Sequence, residues 1–263
     1  IKNGKRIVLV GAGCASLAVV NDLMPLGYEC VVYEALDKAG GLMRTNIPSF
    51  RLPASVLDEE MNYIIDMGVD VRLGTPVDSL QALLAEGYDA VFVGSGAPKG
   101  RDLDIPGRQD SDHIHIGIQW LESVAFEHVD SIGENILIIG VGNTAMDCCR
   151  TSLRLGAKNV KVMARKPRSF FKASDWELED AEEELVEIVV NHSPKEFVFE
   201  DGKLVGVNFE KMEYDLDENG AIVDTRVVGE AFFPCEDVVL AIGYDMIEWP
   251  PACWNAGVAK RIV

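Results

Sequence analysis

Two glycine-rich turns, which begin at Gly11 and at Gly140, are the parts of this sequence with the clearest chemistry. The first runs Gly11-Ala-Gly13-Cys-Ala-Ser16, after the apolar segment Arg6–Val10 and before a segment with helical spacing. Gly11 permits a tight turn, and Gly13 lets the backbone approach a pyrophosphate at the positive end of the helix. Ser16 stands where a third glycine is usual, a position that serves mainly helix–strand packing. The turn therefore predicts a dinucleotide phosphate site.

A carboxylate follows the first turn at the distance expected for ribose recognition. Glu34 lies 23 residues after Gly11, at the end of the apolar segment Cys30–Glu34. In dinucleotide-binding folds, an acid at this place accepts hydrogen bonds from the ribose hydroxyls. A lone Gly-x-Gly could be a simple packing turn, but the strand, turn, helix and acid together favour a binding site.

The second turn, Gly140-Val-Gly142-Asn-Thr-Ala145, repeats the pattern of the first, but different residues end the strand that follows it. The strand after it ends in Arg165-Lys166-Pro-Arg168, without a carboxylate. Cations at this place suit a ribose 2′-phosphate, which predicts NADP(H). NAD(H) stays open as an alternative. So does a solvated basic loop that balances the acidic helix after it, with Arg168 paired to Glu177 or Glu179.

Alternating strands and helices position both turns. The helical segments are Ala15–Leu26, Pro53–Met67, Thr144–Leu155 and Trp176–Val186; the strands are Arg6–Val10, Cys30–Glu34, Ala90–Val93, Ile136–Ile139, Val160–Met163 and Val238–Ile242. This alternation is typical of a parallel sheet with helices on both faces. Four further strand segments are predicted after Ile188, with turns at Asp201-Gly202 and Asn219-Gly220. They are Phe197–Glu200, Lys203–Phe209, Met212–Asp215 and Arg226–Phe233. We therefore predict an α/β fold of two Rossmann-like dinucleotide-binding domains with added antiparallel strands.

Composition excludes several classes of partner. The 263 residues carry 43 acidic and 24 basic side chains, a net charge of −19, whereas nucleic acids and anionic membranes select clustered Lys and Arg. There is no apolar run long enough to span a bilayer. The absence of a signal-peptide pattern, and six cysteines without CxxC spacing, favour reduced thiols in the cytoplasm. Because the first residue is Ile1 rather than Met, we expect a piece of a longer chain.

Other reactive side chains have simpler interpretations. Cys148 and Cys149 are adjacent in a predicted helix, where their side chains point roughly 100° apart, so we expect them in the core. His113 and His115 form an HxH pattern that suggests a metal. Since no other His or Cys cluster is near them in sequence, exposed histidines on a linker strand are the favoured interpretation.

Two charged patterns are also expected to be structural. Asp147 and Arg150 lie three residues apart on the second predicted helix and most simply form a local ion pair. The run Glu182-Glu-Glu184 is expected to be a solvated helical face that could also orient a partner.

The sequence resembles the family of the small subunit of NADPH-dependent glutamate synthase, and is similar to the amino-terminal flavin part of dihydropyrimidine dehydrogenase. The likeness covers nearly the whole chain and rests on several motifs in the same order. Beyond the two turns these are Gly40-Gly41-Leu42, Ile47-Pro-Ser-Phe-Arg-Leu-Pro53, Tyr88–Gly96, Ile105-Pro106-Gly107, Gly142-Asn-Thr-Ala-Met-Asp147, Arg150, Leu153–Ala157 and Ala241-Ile-Gly243.

The resemblance implies FAD at the first turn and a nicotinamide cofactor at the second. The implied flavin contacts are Gly13, Ser16, Glu34, Gly41, Leu42 and Arg51, and Gly11 joins the predicted cofactor-binding set through the turn that it permits. The implied nicotinamide contacts are Gly142, Asn143 and Thr144, with Arg165, Lys166 and Lys172 at the 2′-phosphate. Gly243, at the end of the last matching strand, completes the predicted cofactor-binding set.

The resemblance also implies the domain plan and the activity. Residues 1–105 are expected to form the first segment of the FAD domain, 106–235 an inserted NAD(P) domain, and 236–263 an apparently incomplete return segment. The implied function is hydride transfer between NAD(P)H and FAD, with electrons exchanged with iron–sulfur clusters or a partner subunit. Two alternatives stay open: a non-catalytic scaffold, and a dithiol-disulfide reductase, which the absence of CxxC disfavours.

Overall fold

The computed structural model describes residues 2–247 and 249, and the chain divides into two compact units. Unit 1 is formed by residues up to Lys99 and from Asp245 onward, and unit 2 by Gly100–Tyr244. Ile1, residue 248 and residues 250–263 lie outside the described residues, so most of the tail of the predicted return segment is not described. Within the described residues, no helix is both long and apolar enough to cross a membrane.

Unit 1 is built on a four-stranded parallel sheet. Its elements are β1 (Arg6–Val10), α1 (Cys14–Leu23) continued by the 3₁₀ turn Met24–Leu26, β2 (Glu29–Tyr33), α2 (Leu42–Thr45), α3 (Ala54–Ile65), β3 (Asp70–Arg72), α4 (Leu80–Ala85) and β4 (Ala90–Val93). The strand order is β3-β2-β1-β4. Val8, Leu9 and Val32 are fully buried. Consecutive apolar residues are buried in this way when both faces of a parallel sheet are covered.

Unit 2 repeats this plan around a five-stranded parallel sheet. Its elements are β6 (Ile114–Ile116), α5 (Gly117–Ala125), β7 (Asn135–Ile139), α6 (Asn143–Arg154), β8 (Asn159–Met163), the 3₁₀ turn Arg168–Phe170, α7 (Asp175–Glu183), β9 (Glu187–Val189) and β13 (Asp237–Leu240). The order is β6-β13-β7-β8-β9. Two-residue strands, β5 (Lys99–Gly100) and β14 (Tyr244–Asp245), mark where the chain passes from one unit to the other. The predicted α/β class is confirmed.

The last parallel strand belongs to unit 2, not to the first domain as the sequence predicted. The segment from residue 236 was predicted to return to the first domain, but β13 lies between β6 and β7 in the sheet of unit 2. Val238 is opposite both Ile114 and Leu137. The physical reason is burial, because Val238 and Val239 are fully enclosed by strands and side chains of unit 2. Unit 2 therefore runs from Gly100 to Tyr244 rather than from 106 to 235.

An antiparallel sheet of three strands completes unit 2. Its strands are β10 (His192–Glu200), β11 (Lys203–Leu216) and β12 (Ile222–Pro234). The prediction of two separate strands, Lys203–Phe209 and Met212–Asp215, is wrong. A β-bulge lets the ladder continue, since Lys211 is opposite Gly229 while Met212 is opposite Val227. One face of this sheet packs on the five-stranded sheet through Val207 and Phe209, both fully buried.

Candidate functional site

The first turn is shaped by close backbone packing. Gly11 has φ +92°, and a Cβ atom there would lie 2.6 Å from the carbonyl oxygen of Gly94. Its N–H donates to the carbonyl oxygen of Tyr33 (2.7 Å). Only glycine fits this conformation and this approach. The turn is thereby fixed over the ends of β2 and β4, with Gly13 at the N-cap of α1.

Glu34 is tied to the first turn by hydrogen bonds that the sequence did not predict. The residue is buried, and its Oε2 accepts a hydrogen bond from the Ala12 N–H (2.6 Å). Its Oε1 accepts from the Leu36 N–H (2.9 Å). Each oxygen retains a further lone pair. The carboxylate is therefore held rigidly beside the turn, where an acid that reads ribose hydroxyls belongs.

The loop Gly40–Gly41 brings further predicted residues to the same place. The Gly40 N–H donates to the Ala12 carbonyl oxygen (2.9 Å), and a Cβ on Gly41 would lie 2.9 Å from the Cα of Gly13. Gly41, with φ +52°, is the N-cap of the short helix α2, which begins at Leu42. Gly13 and Gly41 thus form one glycine-lined surface next to the positive end of α1, and Leu42 follows it at the start of α2.

Two other predicted flavin contacts have different surroundings. Ser16 is fully buried, and a Cβ on Gly94 would lie 2.2 Å from its Oγ. Ser16 therefore packs α1 against the end of β4, and a cofactor contact by its side chain stays a prediction. Arg51 is exposed in the turn before α3, where its backbone N–H donates to the Pro48 carbonyl oxygen (2.9 Å).

Gly243 lies in unit 2 with φ +112°, and its carbonyl oxygen accepts from the backbone N–H of Arg101 (2.9 Å).

The second turn leaves space for a ligand. Gly140 has φ +132°, and a Cβ there would lie 2.1 Å from the carbonyl oxygen of Ala241, so glycine is required. Apart from Gly142 itself and its two chain neighbours, no described residue has an atom within 4 Å of the Cβ position of Gly142. Asn143 and Thr144 begin α6, and the first N–H groups of a helix lack acceptors within it. Open space beside such donors is the arrangement that binds a pyrophosphate.

Residues 165–174, here called the strap, are fastened to the second turn. The N–H groups of Lys172 and Ala173 both donate to the Val141 carbonyl oxygen (3.1 and 3.0 Å). The Ser174 N–H donates to Oδ1 of Asn143 (2.9 Å). The Lys172 backbone is therefore fastened to Val141 of the second turn. The Asn143 side chain holds the end of the strap, a role that the sequence did not predict.

The basic residues of the strap lie after β8, as the sequence predicted. Arg165 is exposed, and Nζ of Lys166 lies 5.3 Å from the centre of the Phe170 ring. Arg168 pairs with Glu182 through both carboxylate oxygens (2.5 and 2.9 Å), so the predicted pairing with Glu177 or Glu179 is wrong. That ion pair holds the Arg168 side chain against α7. Arg165 and Lys166 come earlier in the chain and lie closer to the end of β8.

Within the acidic run, Glu182 and Glu183 are exposed, as predicted, but Glu182 and Glu184 also form ion pairs. Glu184 accepts hydrogen bonds from Arg150 (3.0 Å) and Arg154 (2.7 Å), and Asp180 accepts from Arg150 (2.7 Å). Burial lowers the pKa of Arg150, but Glu184 and Asp180 outweigh it and raise the pKa above its ordinary value. Glu184 therefore binds the end of α7 to α6, and Glu182 binds α7 to the strap. The predicted pairing of Arg150 with Asp147 stays a prediction.

His113 and His115 are not merely exposed linker residues. His113 Nδ1 and His115 Nε2 lie 2.8 and 2.9 Å from Oδ1 of Asp237, whose Oδ2 accepts from the Gly133 N–H (2.9 Å). Burial raises the pKa of Asp237, but these hydrogen bonds outweigh it and hold the pKa below its ordinary value. The cluster joins β6 to β13. Among the described residues, no group of three or more His, Cys, Asp or Glu side chains could hold a metal ion.

Comparison with known proteins decides the family. The family model described as pyridine nucleotide-disulphide oxidoreductase matches residues 5–248. The chain belongs to this family. Membership confirms the predicted enzyme class, an FAD-dependent NAD(P)H oxidoreductase, together with the predicted cofactor classes. It does not test the individual cofactor contacts, which stay predictions.

Curated relatives within this family confirm the predicted resemblance. The chain is 34% identical to the NADP(+)-dependent formate dehydrogenase subunit beta of Moorella thermoacetica, over 92% of this chain and 35% of that protein. It is 32% identical to the NADPH-Fe(3+) oxidoreductase subunit beta of Geobacter sulfurreducens, over 93% and 38%. It is 31% identical to the glutamate synthase [NADPH] small chain of Halomonas elongata, over 95% and 55%. The chain thus spans between about a third and just over half of these proteins.

A solved structure supports the same fold. FprA from Mycobacterium tuberculosis, in complex with NADPH, superposes with a TM-score of 0.79 at 18% identity, over 94% of this chain and 72% of that one. At this identity the likeness shows the fold alone.

The family name refers to disulphide chemistry, which would need a reactive cysteine. Cys14, Cys30, Cys148, Cys149 and Cys235 are free thiols. Burial raises the pKa of Cys148 well above its ordinary value and that of Cys149 to about 12. Both side chains are fully buried, which confirms the predicted core position. A buried thiol with a raised pKa is a poor nucleophile for disulfide exchange.

Proposed function

We propose that the chain is the electron-entry part of a flavoprotein, in which unit 1 holds FAD and unit 2 holds NADPH. One observation carries this proposal: two phosphate-binding turns of the same design are followed by side chains of opposite charge. Glu34 lies beside the first turn, whereas Arg165 and Lys166 follow the strand after the second. A carboxylate suits free ribose hydroxyls, and cations suit a 2′-phosphate.

The residues present fit both cofactors. Gly13 and Gly41 leave backbone, rather than side chains, beside the N-terminus of α1, and Glu34 is preorganised there by two N–H donors. Gly142 leaves open space beside the N-terminus of α6. When bound, FAD supplies an acceptor for a hydride that can pass electrons on one at a time. The chain's part is to bind and orient the cofactors and to set the electrostatic environment.

We propose that the electrons continue to an iron–sulfur or catalytic partner subunit in the cytoplasm. The relatives named above are a beta subunit of a formate dehydrogenase, a beta subunit of an iron(III) oxidoreductase and a small chain of glutamate synthase. All three names describe one subunit of a larger enzyme. The dithiol-disulfide alternative is disfavoured by the raised pKa values of Cys148 and Cys149, and the scaffold alternative by the intact turns.

A visible absorption spectrum of the full chain tests the proposal. We expect a yellow protein whose flavin band bleaches on anaerobic addition of NADPH and returns on addition of ferricyanide. A colourless protein that does not take up added FAD would favour the scaffold. A yellow protein that neither NADPH nor NADH bleaches would contradict hydride entry at unit 2.

Replacement of Glu34 by alanine is expected to weaken flavin retention. The variant removes a charged acceptor for the ribose and leaves the Ala12 N–H without its buried partner. Each charge-assisted hydrogen bond contributes about 1.5–3 kcal/mol. The measurement is the flavin-to-protein ratio after extensive dialysis. Glu29→Ala is the matched control, since Glu29 is an exposed acid at the start of β2. Equal flavin content in Glu34→Ala and wild type would contradict the ribose assignment.

A further inference from the structure

Tyr214 lies on the three-stranded antiparallel sheet, whereas the strap follows β8 of the five-stranded sheet. The two are nevertheless in contact. It belongs to β11, about fifty residues along the chain from Arg165, and its hydroxyl donates a hydrogen bond to the Arg165 carbonyl oxygen. Tyr214 is half-buried, and burial raises the pKa of its phenol above the ordinary value. The hydroxyl therefore stays protonated, and able to donate, across the pH range of ordinary assays.

The neighbouring backbone at Arg165 is held on both sides. The Ala164 N–H donates to the Val189 carbonyl oxygen (2.8 Å), and the Ala164 carbonyl oxygen accepts from the His192 N–H (2.9 Å). Beyond this point the strap turns at Pro167 and is next fastened at Arg168, which pairs with Glu182. The Tyr214 hydroxyl is thus the hydrogen-bond donor that fixes the peptide on which the Arg165 and Lys166 side chains stand.

We infer that Tyr214 is a positioning residue that sets the preference for a ribose 2′-phosphate over a free 2′-hydroxyl. The inference rests on the proposed binding of NADPH in unit 2. A charged fork recognises a phosphate only when its direction is right, and such groups must be held within about 0.5 Å and 10–20° of the productive geometry. Arg165 is exposed, so its own side chain has little packing to orient it. The orientation is supplied by the backbone, which is held at Ala164 by β9 and His192 and at the Arg165 carbonyl by Tyr214.

Tyr214→Phe tests this role, because it removes the hydroxyl and keeps the ring. The probes are adenosine 2′,5′-bisphosphate and adenosine 5′-monophosphate, titrated calorimetrically against the full chain. Their affinity ratio isolates the contribution of the 2′-phosphate without any redox step. We expect the ratio to fall roughly 3- to 10-fold in Tyr214→Phe, as the loss of one hydrogen bond predicts, with monophosphate binding unchanged. In steady state the KM for NADPH should rise while kcat and flavin content stay unchanged.

Asp215→Asn is the matched control. Asp215 is the next residue on β11 and pairs with Arg226 (2.8 Å), so its substitution perturbs the same strand without the contact to Arg165. The affinity ratio should stay at its wild-type value in this variant. A fall of equal size would make the effect a general disturbance of β11 and overturn the inference.

The remaining outcomes separate the inference from the proposed function. If wild type binds both probes equally, the NADPH assignment fails, and the role of Tyr214 falls with it. If wild type prefers the bisphosphate, and a variant neutral at Arg165 and Lys166 loses that preference while Tyr214→Phe keeps it, the positioning role alone is wrong.

Discussion

Gly142→Val is expected to abolish reduction by the nicotinamide cofactor and to leave the flavin in place. Apart from its chain neighbours, no described residue has an atom within 4 Å of the Cβ position of Gly142. The Gly142 backbone is extended (φ −101°, ψ 175°), a conformation that valine readily adopts. The Cβ of the new side chain therefore meets open space in the protein, and the side chain is expected to collide with a bound pyrophosphate. We expect kcat/KM for NADPH to fall at least about 100-fold, or roughly 3 kcal/mol.

The reciprocal variant completes this experiment. Gly13→Val changes the corresponding position of the first turn, where the nearest described atom is the Cα of Gly41 at 3.8 Å. We expect it to lose flavin while still binding adenosine 2′,5′-bisphosphate. The readouts are the flavin absorbance of the purified chain and calorimetric titration with the nucleotide. Loss of both cofactors in either variant would mean that the two turns do not act as separate sites.

The double variant Arg165→Gln, Lys166→Gln is expected to lower activity with NADPH far more than activity with NADH. Two cations that contact a 2′-phosphate would contribute about 1.5–3 kcal/mol each. The expected fall in kcat/KM for NADPH is therefore at least about 100-fold, while the value for NADH changes by less than about threefold. Steady-state flavin reduction with each cofactor is the measurement.

Lys158→Gln is the control for a general loss of positive charge. Lys158 is exposed and pairs with Glu134 (2.6 Å), on the loop between α6 and β8. Its substitution should leave the cofactor ratio unchanged. A wild-type preference for NADH that the double variant does not alter would contradict the 2′-phosphate assignment and leave the strap as a solvated basic loop.

The sequence predicts the two turns well because their requirements are local. Gly11 and Gly140 have positive φ and lie against a carbonyl oxygen, conditions that only glycine meets, so the residue type reveals the geometry. The helices after them follow from apolar spacing and end near the expected residues. Glu34 is identified by its distance from the turn, since a strand of five residues delivers it there.

Contacts between distant segments could not be predicted in this way. The continuous apolar run Val238–Ile242 shows that Val238 is buried but not in which sheet, because any parallel sheet suits such a strand. Charge spacing offered several partners for Arg168, and the orientation of α7 selected Glu182. Tyr214 carries no motif at all, and only the fold of β11 brings its hydroxyl to the strap.

The position of β13 has a consequence for biosynthesis. The four strands of the first sheet have all left the ribosome once Val93 has, but the second sheet waits for Leu240 to fill the gap between β6 and β7. Leu240 follows the end of β7 by about 100 residues, which at about 5–20 residues per second takes roughly 5 to 20 s. During this time the apolar edge of β7 has no neighbour on that side and is a natural client for chaperones. Ala241, whose carbonyl oxygen crowds Gly140, arrives directly afterwards, so the second turn is among the last parts of the nascent chain to reach its final geometry.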